Sequence, residues 1–155
     1  MVSVYDATRK LTGRLNFLLL LPSVPVLIGA APAADVDVTL TGLRNLNGNI
    51  LICVTHDPAH FPNCSTDPKA RKDKIATKDA QHMHFADLAS GDYAIALIHD
   101  ENANGTLDVA GGMPSEGVGF SRNPRLFFSA PKFRNCDFLA ISGVVSQTIK
   151  LRYFL

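Results

Sequence analysis

An apolar run from Tyr93 to Ile98, closed by His99, passes directly into Asp100-Glu101-Asn102-Ala103-Asn104-Gly105-Thr106-Leu107-Asp108. The run is too short for a stable helix and reads as a strand. Beyond it, oxygen-bearing side chains occupy every second position, then comes a glycine, then another carboxylate. Asx residues bond their own backbone, and glycine permits a sharp reversal, so neither helix nor strand continues through this stretch. A chain with this feature must end a strand on an ordered, oxygen-rich loop.

The rest of the chain offers further strands. From Val36 to Leu43, Val36, Val38 and Leu40 share one parity, with Asp35, Asp37, Thr39 and Thr41 on the other. That alternation predicts a half-buried strand. Asn47-Gly48 signals a turn, and Asn49–His56 is apolar on both parities, as a strand inside a sheet system would be. Residues 57–79 hold Pro58, Pro62, Pro68 and much of the charge, predicting a long loop with one helical turn around Lys69–Ile75. Gln81–Leu88, Phe133–Ile141 and Val144–Phe154 are also extended in character, and Val145, Gln147, Ile149, Leu151 and Tyr153 share a parity. Gly111, Gly112, Pro114, Gly117 and Gly119 exclude regular helix between them and predict backbone packed over the sheets, anchored by Phe120 and Phe127-Phe128. No sustained helical period and no repeat interrupt this picture. The expectation is an all-β fold, an antiparallel β-sandwich of six or seven strands, with a closed barrel as the competing architecture.

The first 33 residues read as an address. Arg9, Lys10 and Arg14 precede the largely apolar Leu15–Ile28, and Ala31-Pro32-Ala33 offers small residues where a signal peptidase cuts. Leu15–Ile28 falls short of the roughly 20 residues a membrane span requires. A signal peptide over 1–33, cleaved after Ala33, predicts a periplasmic or secreted domain over 34–155 with no transmembrane span; an uncleaved anchor is the alternative. Without that segment the chain holds 12 basic and 13 acidic residues. Such balance argues against nucleic acid or anionic membrane as the main partner. The basic cluster Lys69, Arg71, Lys72, Lys74 and Lys78 is diluted by Asp67, Asp73 and Asp79 and reads as a solvated loop. Export also predicts pairing among Cys53, Cys64 and Cys136, with Cys53–Cys64 favoured by its short span. Cys136 is then the odd thiol, either buried or reactive at the surface.

The strand Gly91-Asp92-Tyr93-Ala94, the loop His99–Asp108 and the segment Gly112-Met113-Pro114-Ser115-Glu116-Gly117-Val118-Gly119-Phe120-Ser121-Arg122-Asn123 resemble an exported bacterial family known as domain of unknown function 2141. The likeness extends over roughly residues 36–154. It implies a small sandwich similar to transthyretin-like or carboxypeptidase-regulatory-like domains, and it implies no activity. Val109-Ala110-Gly111, between the two motifs, departs from the pattern.

Two kinds of chemistry merit placing on the residues. Asp100, Asn102, Asn104 and Asp108 match side-chain positions 1, 3, 5 and 9 of a calcium loop, the Thr106 carbonyl matches position 7, and Gly105 holds the turn. Gly111 stands where a bidentate carboxylate would complete the set, and Glu116 is a candidate replacement. Two ligand charges predict weak Ca²⁺ binding, and the competing reading is an ion-free turn capped by its own Asx side chains. The rival site uses histidine. His82 and His84 share one face of a strand, while His56 and His99 end two others, so a small periplasmic zinc or copper enzyme or redox protein is the alternative function. Met83 and Phe85 form the better core parity, which turns His82 and His84 to solvent. His99 and Asp100 are neighbours on a strand and point apart, and Ser115 and Ser121 lack a nucleophile elbow, so no catalytic constellation emerges. The glycine segment lacks the lysine and helix of a phosphate loop. The sequence therefore favours a binding or structural module over an enzyme, with an unidentified envelope protein or glycan as partner.

Overall fold

Alternating valines decide where the first strand lies. In a computed structural model that describes residues 32–127 and 129–155, β1 (Ala33–Thr41) buries Val36, Val38 and Leu40 almost completely. It is the middle strand of a three-stranded sheet, between β4 (His82–Ala89) and β10 (Gly143–Lys150). The expected signal peptide and its anchor alternative lie almost wholly outside the described residues.

The second sheet runs β3 (Arg71–Ala76), β2 (Asn49–Thr55), β5 (Gly91–Asp100), β8 (Gly117–Phe120), with β9 (Phe138–Ala140) paired to the start of β5. A two-stranded ribbon, β6 (Val109–Ala110) and β7 (Met113–Pro114), stands apart. The two larger sheets share one core, in which Val36, Val38, Leu40, Met83 and Ile149 meet Ile50, Ile52, Val54, Ile95 and Leu97. The chain is all-β, and its sheets are open rather than closed into a barrel.

The pairing is not purely antiparallel, contrary to expectation. β1 and β10 run parallel, with Val36 beside Val145 and Leu40 beside Ile149. Alternation specifies which face of a strand is buried, not the direction of its neighbour, so this pairing left no mark in the pattern. The other contacts between strands of the two sheets are antiparallel.

β5 is apolar on both parities because it is covered on both faces. Tyr93, Ile95 and Leu97 face the shared core. Ala94 and Ala96 face a second cluster made by Phe120, Cys136, Phe61, Leu126 and Phe133. Cys136 is the buried alternative of the two, and burial pushes its thiol up to about 11.

Two strands stand where loop was expected. β3 replaces the helical turn foreseen around Lys69–Ile75; Arg71, Lys72, Asp73 and Lys74 are all exposed. As the edge strand it has no alternation to show, and its charges guard an unpaired edge. β8 is mostly glycine and apolar. A Cβ at Gly119 would lie 2.8 Å from Ile149 and 2.9 Å from Leu97, so glycine there brings the backbone onto the core. Phe120 is buried as expected; Phe127 is 74 % exposed and not the anchor expected of it, and Phe128, its partner in that expectation, lies outside the described residues.

Cys53 and Cys64 are disulfide-bonded, with Cα atoms 6.3 Å apart. The bond ties β2 to a 3-10 turn, Cys64–Thr66, whose surroundings are rich in polar contacts. Lys72 Nζ donates to the carbonyls of Cys64, Ser65 and Asp67. The buried Asp67 carboxylate accepts from the Thr55 hydroxyl at 2.6 Å and the Lys69 amide at 2.8 Å, and these bonds hold it below the usual carboxylate range. Replacing both cysteines by serine is expected to lower stability by about 2.5–3 kcal/mol, the loop-closure value for so short a ring. Urea denaturation monitored by circular dichroism checks this, and an unchanged midpoint contradicts the pairing.

Candidate functional site

The oxygen-rich loop begins where β5 leaves the core. Strand alternation sends His99 inward with Leu97 and places Asp100 on the opposite face. Asp100 is fully buried, and a buried carboxylate is tolerated only with hydrogen bonds. It has them: Oδ1 accepts from the Asn104 amide at 3.0 Å and Oδ2 from the Gly105 amide at 2.9 Å. Asn102 Oδ1 accepts from Asn104 N, and Asn104 Oδ1 accepts from both Thr106 N and the Thr106 hydroxyl. Ala103 and Gly105 take positive φ, which lets the chain coil around Asp100.

The side chains of Asn102 and Asn104 then converge on Asp108. Asn102 Nδ2 donates to Asp108 Oδ2 at 2.6 Å, and Asn104 Nδ2 donates to Oδ1 at 3.0 Å. Four of the five candidate ligand residues, Asp100, Asn102, Asn104 and Asp108, are thus joined in one hydrogen-bonded unit. Thr106 joins through its hydroxyl.

Glu116 closes the loop from beneath. It is 4 % exposed, and its Oε1 accepts from Glu101 N at 2.9 Å while Oε2 accepts from Asp108 N at 3.1 Å. One carboxylate therefore holds both ends of the loop. The ribbon β6–β7 makes this reach possible by returning the chain, with Ser115 N donating to Asp108 O. Gly48 belongs to the same packing, since a Cβ at this position would overlap the Asp100 carbonyl.

A further layer lies outside these groups. The Arg44 guanidinium pairs with the Glu101 carboxylate, and Asn45 donates to the same carboxylate. Arg44 holds Glu101 below the usual carboxylate range, and Glu101 in turn raises Arg44. A depressed folded value means this contribution is present above the unfolded pKa and is lost as pH falls through the folded one. Arg44 also lies 4.5 Å over the Tyr153 ring and donates to the carbonyls of Ser115 and Leu155. Burial raises the Tyr153 hydroxyl, which sits 2.7 Å from His99 Nδ1, while His99 Nε2 lies 2.9 Å from the Asn47 carbonyl. A carbonyl only accepts, so Nε2 carries the hydrogen and Nδ1 faces the tyrosine hydroxyl. His99 therefore joins the β1–β2 connection to the chain's last residues.

The structure does not bring the histidines together. His82 and His84 lie exposed on β4, on the outer face of the three-stranded sheet, where His84 Nδ1 meets Asp37 at 2.7 Å. His99 is buried in the other sheet, and His56 is exposed against Tyr93. Among the described residues, no three His, Cys, Asp or Glu side chains form a metal-holding group. Ser121 is wholly buried, with its Oγ accepting from Ile95 N and donating to the Cys136 carbonyl. Sequence spacing brought out the loop residues and raised Glu116. Arg44, Asn45 and Tyr153 gave no signal, because they reach the loop only through the fold.

A family profile described as "Uncharacterized protein conserved in bacteria (DUF2141)" matches residues 38–148. The chain belongs to this family. No curated protein and no solved structure matches it. The DUF2141 match starts within β1 and ends within β10, so it spans both sheets, the loop and Glu116.

Two measurements test this geometry in the DUF2141 chain. Glu116→Gln replaces a buried, charged acceptor of two part-buried amides and is expected to cost about 1–3 kcal/mol, read by thermal or urea melts. Wild-type stability in that variant contradicts the closing role. Separately, hydrogen bonding to Asp37 raises the His84 imidazole above the ordinary histidine range. That contribution is present below the unfolded pKa and fades as pH rises through the folded one. NMR titration of the ring is expected to show a raised pKa that falls in Asp37→Asn.

Proposed function

We propose that this DUF2141 protein is an exported binding or structural module of the cell envelope whose Asp100–Asp108 loop takes a weakly held Ca²⁺ ion. The observation that carries the reading is the meeting of Asn102 and Asn104 on the Asp108 carboxylate, with Asp100 beneath them. A hard cation prefers carboxylate and amide oxygens, so it would take the place of the two amide NH₂ groups once they turn. Asp100 retains acceptor capacity after its two backbone bonds. Two carboxylates among the ligands correspond to a Kd on the order of 0.1–1 mM, the range of extracellular modules.

The two sheets that share a core are taken as a transthyretin- or Ig-like sandwich, with residues 1–33 as its export signal. The Cys53–Cys64 disulfide and the absence of any helix long and apolar enough to cross a membrane, among the described residues, are compatible with a periplasmic or secreted product. The ion braces the side-chain cluster of a loop that Asp100 and Glu116 already hold, and the loop end offers a recognition surface to an envelope protein or glycan.

At about 10 mM Ca²⁺ this affinity corresponds to roughly 1.4–2.7 kcal/mol of added stability by mass action. Calorimetric titration and thermal melts with Ca²⁺ are expected to show heat and a raised Tm, both lost in Asp108→Asn. No heat and no shift at millimolar ion remove the cation from the account.

A further inference from the structure

The balanced total charge conceals a local separation. Residues 122–134 contain Arg122, Arg125, Lys132 and Arg134 and no Asp or Glu. Two residues of this segment, Leu126 and Phe133, pack against the cluster of Ala94, Ala96, Val118, Phe120 and Cys136 on the outer face of the five-stranded sheet. The residues flanking each anchor face away from the sheet. Arg125 and Phe127 flank Leu126, Lys132 and Arg134 flank Phe133, and all four are exposed. Phe127, at 74 %, is the most exposed large apolar side chain among the described residues. Arg122 is engaged by Asp137 at 3.6 Å, but among the described residues no ion pair engages Arg125, Lys132 or Arg134.

An exposed aromatic ring and three exposed cations without ion pairs among the described residues, all on one stretch of chain, have a specific physical complement. The headgroup layer of an anionic bilayer offers phosphates to the cations and, just below them, an apolar boundary for the ring. It needs no preformed pocket, whereas a protein partner would have to supply a concave apolar site opposite the same charges. We propose that Phe127, Arg125, Lys132 and Arg134 form a membrane-surface contact, with Phe127 inserting at the interface and the cations meeting anionic phospholipid headgroups. The contact is narrow, one loop rather than a broad basic face, and so is compatible with a chain of nearly zero net charge. It is independent of whether the acidic loop binds a cation.

The chain contains no tryptophan, so Phe127→Trp introduces a single local reporter in place of one ring by another. In the full-length Phe127→Trp chain, tryptophan emission is expected to shift to the blue on adding vesicles of equimolar phosphatidylglycerol and phosphatidylcholine at low salt. Brominated acyl chains should quench it, and pure phosphatidylcholine should leave it unchanged. Adding Arg125→Gln or Lys132→Gln should weaken the apparent affinity about fivefold each, the effect of one basic residue near an anionic surface. Raised salt should abolish the shift. Because the readout is the immersion of residue 127 itself, any membrane affinity of residues 1–33 does not produce it. No shift with the anionic vesicles, an equal shift with pure phosphatidylcholine, or indifference to the charge substitutions overturns the proposal. A shift with polyglutamate but not with vesicles also overturns it and assigns the loop to an acidic protein.

Discussion

The carboxylate of Asp100 lies out of water at the point where β5 leaves the core, and everything downstream is arranged around keeping it satisfied. An ionised group in that position is costly unless donors reach it, and the donors available are the amides of Asn104 and Gly105. Meeting that demand forces the chain to curl back within a few residues, with Ala103 and Gly105 in left-handed conformations. Loop order at this end of the sheets comes from the buried carboxylate together with the local Asn102 and Asn104 side-chain bonds to the backbone.

The same logic recurs one layer out. Glu116 is buried and takes its two donors from the opposite ends of the loop, so satisfying it closes the ring that Asp100 starts. Glu101 is drawn outward instead, toward Arg44 and Asn45, and Arg44 in turn lies on Tyr153, next to His99. Two carboxylates thus fix the loop internally and a third ties it to the β1–β2 connection and to the chain's last residues. The end of the sheets carrying this loop is polar and cross-braced. The loop over the outer face of the five-stranded sheet is fixed by apolar anchors, and among the described residues its Arg125, Lys132 and Arg134 have no ion pair. These are two surfaces of opposite chemical character on one small scaffold.

Much of this was legible in the residues. β1 showed itself because Val36, Val38 and Leu40 alternate, and β5 because an apolar run on both parities has to be covered twice. The clustering of Asn102, Asn104 and Asp108 was legible because alternate positions point to one side. Other parts left no trace for physical reasons. β3 is an edge strand with four consecutive charged residues, so it lacks any apolar parity. β8 depends on Gly117 and Gly119 lying against Tyr153, Ile149 and Leu97, a packing requirement that reads locally as loop. The parallel pairing of β1 with β10 and the bond from Arg44 to Glu101 join segments distant in sequence, and periodicity is silent on such partners. Phe127 shows the converse failure: an apolar residue was assumed to be an anchor, and its neighbour Leu126 is the anchor instead.

Hydrogen exchange at four backbone amides is the sharpest probe of a loop ordered by its buried carboxylates. Asn104 and Gly105 donate to Asp100, and Glu101 and Asp108 donate to Glu116. All four, although in a loop, are expected to exchange with protection approaching that of β5 amides such as Ile95 and Leu97. Exchange at these four positions at the rate of an unstructured chain, with β5 still protected, would show that the carboxylates do not order the loop.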